Sequence, residues 1–361
     1  VNNKHENTNQ GLVTRKTHGI YTVKTNGTDY LCRISNKLRK ELIYPKESNE
    51  SLRRRVVAVR DISVVDPIAV GDFVEFKVAK EDGKGVIDQV LPRRNSMSRL
   101  GAGRKPVEQV IVANIDQALV VASSAFPKTH FFTIDRYLAD ATVSDIPAVI
   151  VVTKVDLCEL ADVRNEFKLY EDIGYRVIYT SSNENIGVDE VKELLLGKTS
   201  VMLGMSGVGK SSLLNAIEPG LGIKVREVHQ KTGEGMHTTT HLEMHFLESG
   251  GGIIDTPGMR EFGVWRAKKM DMANLFVEMR PYITNCQFGN SCSHLTEPGC
   301  GLLEAVSAGK VSESRYESFK KLTIGTEPVA KFHMRKKLSR HIENRVERNT
   351  EIMLERYESK E

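Results

Sequence analysis

Gly204-Met205-Ser206-Gly207-Val208-Gly209-Lys210-Ser211-Ser212 satisfies G-x-x-x-x-G-K-[ST] at every specified position. Residues 199–203 ahead of it are β-like, and residues 212–217 behind it read as the opening of a helix. Glycines let such a loop turn so that successive N–H groups converge on phosphate oxygens, and the helix N-terminus adds partial positive charge. Lys210 would neutralise β- and γ-phosphates, and the Ser211 hydroxyl would ligate Mg²⁺.

Around this loop lie 361 residues, enough for two or three domains with buried cores. Hydrophobic content of 40% and charged content of 27% are those of a soluble globular protein. The net charge of +4 does not by itself announce nucleic-acid binding. Distribution says more, since basic residues cluster at Arg53-Arg54-Arg55, Arg93-Arg94, residues 99–105 and residues 331–341. No apolar run reaches the length of a membrane span. The polar residues 1–14 read as a disordered leader without the apolar core of a signal peptide, which points to a cytoplasmic protein. Of five cysteines, three bunch between Cys286 and Cys300, which suits metal binding in a reducing compartment better than disulfides. Cys32 and Cys158 read as core filler.

Residues 15–92 carry short strand patterns at 19–34, 56–59, 72–78 and 85–91. Asn26-Gly27 marks a tight hairpin turn within the first. Their spacing predicts a small all-β barrel of OB type, with Arg53-Arg54-Arg55 in a loop open to a phosphate backbone. A solvated surface loop accounts for those arginines equally well. Residues 93–107 read as a basic linker. From 108 to 262 strands and helices alternate, with strands at 110–121, 148–152, 175–179, 199–203, 242–247 and 252–254 and helices at 133–144, 160–173 and 188–196. That alternation predicts an α/β domain with a parallel sheet covered on both faces. Residues 263–361 read as a helical domain, with one helix near 270–280 and an exposed, partly basic helix at the end.

Thr153-Lys154-Val155-Asp156 ends the buried strand at 148–152. A carboxylate at Asp156 can accept bonds from guanine N1–H and its exocyclic amine, which adenine does not offer there. The stem of Lys154 can lie along the base plane. Thr180-Ser181-Ser182-Asn183 ends the next strand and can aim a backbone N–H at guanine O6. Downstream, Asp255-Thr256-Pro257-Gly258 fits D-x-x-G, with Asp255 toward Mg²⁺ and the Gly258 N–H toward a γ-phosphate. Residues 235–240 occupy the slot of a first switch loop, where Thr238, Thr239 or Thr240 can reach the metal, with Thr239 the foremost candidate.

Base-reading elements therefore precede the phosphate loop, the reverse of ordinary G proteins. Chain order does not fix strand neighbours, so a permuted chain can rebuild the same sheet. Permuted G motifs, an OB-like N-terminal domain and a C-terminal cysteine–histidine cluster resemble the RsgA (YjeQ/EngC) family over nearly all of residues 15–325. The resemblance implies a GTPase that binds the small (30S) ribosomal subunit and its 16S rRNA, assists late maturation and leaves after hydrolysis. It also implies GTP and GDP as ligands; a monomer is expected.

Met259 follows the D-x-x-G glycine where many G proteins carry a water-positioning Gln. His237, beside the switch threonines, is the candidate for orienting or deprotonating water, against a loop histidine without chemical duty. Met236 stands where the family usually has Arg. Cys286, Cys292, His294 and Cys300 supply three thiolates and an imidazole, the donor set of a closed, structural Zn²⁺ site. Two other functions fit parts of the pattern: a P-loop ATPase or small-molecule kinase, which Asp156 opposes, and a zinc-bearing adaptor that binds nucleotide without hydrolysis.

Overall fold

The computed structural model describes residues 8–17, 19–38, 68–78, 84–100, 108–223, 242–256 and 272–325. At the Asn26-Gly27 turn both residues take positive φ, 49° and 77°, the geometry whose twist matches paired strands. This turn joins β2 (Ile20–Thr25) to β3 (Thr28–Ile34). With β1 (Asn9–Thr17), β4 (Phe73–Val78) and β5 (Gly85–Val90) they close in the order β1-β2-β3-β5-β4-β1, an OB-like barrel. Val13, Tyr21, Val23, Val74, Phe76 and Ile87 fill its interior. Cys32 joins them, and burial pushes its thiol up to about 12. β1 corrects the leader expectation, because residues 9–14 are paired strand. A register shift between Val13 and Arg15 breaks the alternation that would have revealed it.

The basic linker is corrected too. Residues 96–100 form β6 (Ser96–Leu100), antiparallel to β7 (Glu108–Ala113) in a separate two-stranded sheet. The apolar run at 110–121 is two strands, β7 and β8 (Gln117–Ser123), because Asn114 adopts φ 56° between them. Its amide accepts from the Arg94 N–H at 2.9 Å and donates to the Gly71 carbonyl at 2.8 Å. Arg93 grips the fully buried Asp72 through Nε at 2.6 Å and Nη2 at 2.7 Å, and Arg94 reaches Asp116 at 2.8 Å. Arg93 thus pairs back to the barrel residue Asp72, and Arg94 pairs forward to Asn114 and Asp116 of the next domain.

The α/β domain adds α1 (Phe131–Val143), β9 (Ala148–Thr153), α2 (Leu160–Asp172), β10 (Val177–Tyr179) and α3 (Val188–Leu195). Then come β11 (Thr199–Leu203), α4 (Lys210–Ile217), β12 (Leu242–Phe246) and β13 (Gly252–Asp255). Strand order is β10-β9-β8-β11-β13-β12, parallel except for β12. Alternate residues serve opposite faces. Ala118, Val120 and Ala122 pack toward Leu138, Phe167 and Tyr170 of α1 and α2, while Leu119 and Val121 pack toward Val191, Leu195 and Leu213 of α3 and α4. Burial on both faces explains why these strands are almost wholly apolar. β12 also pairs with β1, Arg15 opposite Glu243, so barrel and α/β sheet are continuous. Cys158, expected in the core, is exposed.

No single helix spans 270–280. A 3₁₀ turn at Met272–Leu275 is followed by turns and by the short α5 (Arg280–Ile283). Pro281 lacks an N–H and is tolerated only in a helix's first turn, so α5 has to start there. α6 (Gly301–Ser307) and α7 (Glu313–Gly325) complete the region. The strand expected at 56–59, Arg53-Arg54-Arg55 and the helix expected beyond residue 330 lie outside the described residues. Among those described, no helix is long and apolar enough to cross a membrane.

Arg315 of α7 fixes this region to the α/β domain. Its guanidinium, 1% exposed, donates to Asp135 on α1 at 2.6 Å and to both oxygens of Glu278 at 2.6 and 3.1 Å. The Tyr170 hydroxyl of α2 donates to the same Asp135 oxygen at 2.7 Å. Burial opposes the charge, but Glu278 and Asp135 outweigh it and keep the guanidinium protonated. Replacing Arg315 by Ala strands two buried carboxylates, and a loss of about 3–5 kcal/mol is expected. Urea unfolding of the Arg315→Ala chain checks this; an unchanged midpoint would contradict it.

Candidate nucleotide site and metal centre

The phosphate loop leaves β11 at Gly204 and enters α4 at Lys210. Gly209 has φ 96°, and a Cβ there would lie 3.3 Å from Thr153 Oγ1, so both conformation and space call for glycine. Lys210 is buried, its Nζ donating to the Gly204 carbonyl at 2.8 Å and the Met205 carbonyl at 2.9 Å. Burial pulls the Lys210 ammonium below its ordinary pKa, and Asp255 partly restores it. Asp255 ends β13 beside β11, its register partner being Met202. Burial pushes its carboxyl up, against the pull of Lys210 and His245. Asp255 Oδ1 is buried without a hydrogen-bond partner. An orphaned carboxylate oxygen beside a phosphate cradle is the donor a hard divalent cation takes.

Residues 153 and 154 meet this loop directly. Thr153 is buried, its hydroxyl set between the carbonyls of Ala122 at 3.1 Å and Val208 at 2.5 Å. Lys154 is left-handed at φ 61°, and its Nζ donates to the Gly207 carbonyl at 2.8 Å and to the Phe126 carbonyl. Burial lowers its pKa, while Asp156 raises it. Val155 is buried; its N–H donates to the Thr180 carbonyl at 3.3 Å, tying the 153–156 segment to the end of β10. Ser181 is fully buried; it exchanges backbone bonds with Ile186 and accepts the Glu184 N–H, so it shapes the loop. Ser182 and Asn183 stand outward, and the Asn183 amide reaches Asp156 at 3.4 Å. His237, Thr238, Thr239, Thr240, Gly258 and Met259 lie outside the described residues.

In the C-terminal region the donor atoms of Cys286, Cys292, His294 and Cys300 all lie within 4.8 Å of one another, and all four residues are buried. His294 Nδ1 is 3.3 Å from Cys286 Sγ and 3.5 Å from Cys300 Sγ, and those two sulfurs are 3.7 Å apart. Tetrahedral zinc–thiolate and zinc–imidazole bonds put ligand atoms about 3.5–3.8 Å apart, so this donor set fits such an ion. Tyr316 of α7 donates to the His294 carbonyl at 2.9 Å. Glu297 accepts backbone N–H bonds from Ser293, Leu295 and Thr296. Bonds from Ser293 and its neighbours hold its carboxyl down at about 2.

A family model described as RsgA GTPase matches residues 90–265. The small ribosomal subunit biogenesis GTPase RsgA of Alkaliphilus metalliredigens is 36% identical over 311 residues, 86% of this chain and 95% of that protein. The chain belongs to the RsgA GTPase family. Two solved structures of that kind superpose along most of the chain. YjeQ from Thermotoga maritima is 31% identical with a TM-score of 0.64, covering 88% of this chain and 98% of that one. YloQ, described as a circularly permuted GTPase, is 26% identical with a TM-score of 0.60, covering 91% and 99%. Membership of the RsgA family brings GTP and GDP binding with it, and the buried Cys₃His cluster has the donors and the spacing to hold a structural metal ion.

Sequence reading missed Phe126, whose carbonyl holds Lys154, and Tyr316, which anchors His294 from α7. Neither stands in a motif. The metal site yields a direct expectation: natively purified protein carries one zinc per chain by elemental analysis. Cys300→Ser, which leaves three donors, should lose the ion and lower the melting temperature by about 10 °C. Full zinc retention would contradict the closed four-ligand reading.

Proposed function

We propose that this chain hydrolyses GTP to GDP and phosphate, binds the 30S ribosomal subunit through its 16S rRNA, assists late maturation and departs after hydrolysis. A monomeric, cytoplasmic protein fits this role. The observation that carries the proposal is the contact of Thr153 and Lys154 with the carbonyls of Val208 and Gly207, which abuts the purine-reading strand end on the phosphate loop.

In this reading Asp156 accepts the N1–H and amine of guanine, Lys154 flanks the base, and a backbone N–H at Ser182 meets O6. Backbone groups of residues 204–212 cradle the phosphates. Lys210 leaves the Gly204 and Met205 carbonyls for the β- and γ-oxygens, to which it brings its charge. The orphaned Asp255 oxygen, the Ser211 hydroxyl and Thr239 suit Mg²⁺, which when bound neutralises charge on the β- and γ-phosphates. Gly258 senses the γ-phosphate, and His237 orients the attacking water where Met259 cannot. Cys286, Cys292, His294 and Cys300 would hold a structural Zn²⁺, which would pin the preceding loop to the start of α6, with Tyr316 of α7 bonded to His294.

Phosphate release from GTP, measured with and without small subunits, tests the proposal. Turnover should rise with subunits, GTP should be preferred to ATP, and Asp156→Asn should weaken GTP binding about tenfold or more. Equal affinity for ATP would favour a P-loop ATPase or kinase. GTP binding without phosphate release in the presence of subunits would favour the adaptor, the reading that Met259 supports.

A further inference from the structure

We propose that Asn183 is a positioning residue for purine recognition. It would hold the Asp156 carboxylate in the plane in which both oxygens meet guanine. The proposal rests on the reading of Asp156 as the guanine contact.

The loop that carries Asn183 is closely built. The Ser181 N–H and carbonyl both bond to Ile186 at 3.0 Å, and Ser181 Oγ accepts the Glu184 N–H at 3.2 Å. Asn185 takes φ 56° and Gly187 φ 64°; a Cβ at Gly187 would sit 2.2 Å from the Tyr179 carbonyl. Its base is fixed as well, by Thr180 N–H on the Val152 carbonyl at 2.7 Å and Val155 N–H on the Thr180 carbonyl at 3.3 Å. Both Asn183 and Asp156 therefore stand on backbone locked to the same pair of strands, β9 and β10. Between them the Asn183 amide donates to Asp156 Oδ2 at 3.4 Å.

The chemistry needs such a partner. The last torsion of an aspartate is broad, so a half-buried carboxylate can turn out of the base plane. Guanine presents two parallel donors, and losing coplanarity sacrifices one of them. A carboxylate oxygen accepts more than one bond, so Oδ2 can keep the amide while receiving the base. Asn183 contributes no net charge, which leaves the negative charge of Asp156 available to the purine.

Equilibrium binding of GDP and of IDP, whose base lacks the exocyclic amine, tests this with full-length protein and the variants Asn183→Ala, Asn183→Asp and Asp156→Asn. Asn183→Ala should weaken GDP about three- to tenfold and IDP less, so that the GDP/IDP ratio contracts. The near-isosteric Asn183→Asp sets two carboxylates together and should weaken GDP further, with recovery toward low pH as one is protonated. Melting curves like the parent's would separate these effects from unfolding. An unchanged GDP/IDP ratio in Asn183→Ala would overturn the proposal. So would tighter GDP binding, which would mean that the amide only occupies the place of the base in the free protein. Should Asp156→Asn itself leave GDP binding intact, the assignment of Asp156 would fail first.

Discussion

Two bonds between segments about fifty residues apart hold the nucleotide reading together: Thr153 Oγ1 to the Val208 carbonyl and Lys154 Nζ to the Gly207 carbonyl. A purine sensor and a phosphate cradle are useful only at a fixed separation. Here that separation is set by direct contact, since Gly209 lets the phosphate loop approach Thr153 closely. Strand pairing provides the wider frame. β9 lies one strand from β8, and β8 lies beside β11, so both loops leave the same end of one parallel sheet. Binding sites in such sheets form at the carboxyl ends of the strands.

Outside this centre the two flanking regions attach in different ways. The C-terminal region is held to α1 and α2 by a fully buried guanidinium with two carboxylate partners, a contact that cannot open without uncovering charge. The barrel is joined by backbone pairing of β1 with β12 and by the paired Arg93 and Arg94. β12 begins two residues after Thr240 in the chain, and its other neighbour, β13, ends in Asp255. The barrel strand β1, β12 and the strand that ends in Asp255 are thus adjacent in one sheet.

Much of this was legible in the residues because their physics is local. The phosphate loop needs glycines at fixed offsets, doubly covered strands need apolar residues on both faces, and the metal site gathers its donors within fifteen positions. Other features depend on distant partners. Arg315 meets Asp135 across 180 positions, and nothing near it distinguishes a buried guanidinium from a surface one. Arg93 and Arg94 belong to a basic stretch that looks the same whether it is solvated or paired inward. β1 was hidden by its bulge, and the break at Asn114 by the apolar run around it. The burial of Ser181 follows from a loop closed on Ile186, which its motif does not encode.

A crystal structure of the chain with GDP and Mg²⁺ would test the central claim most directly. One nucleotide should span both segments, with guanine N1–H and its amine on Asp156 and the β-phosphate on the N–H groups of residues 207–211. Phosphates seated in that loop with the base turned away from Asp156 would contradict the account.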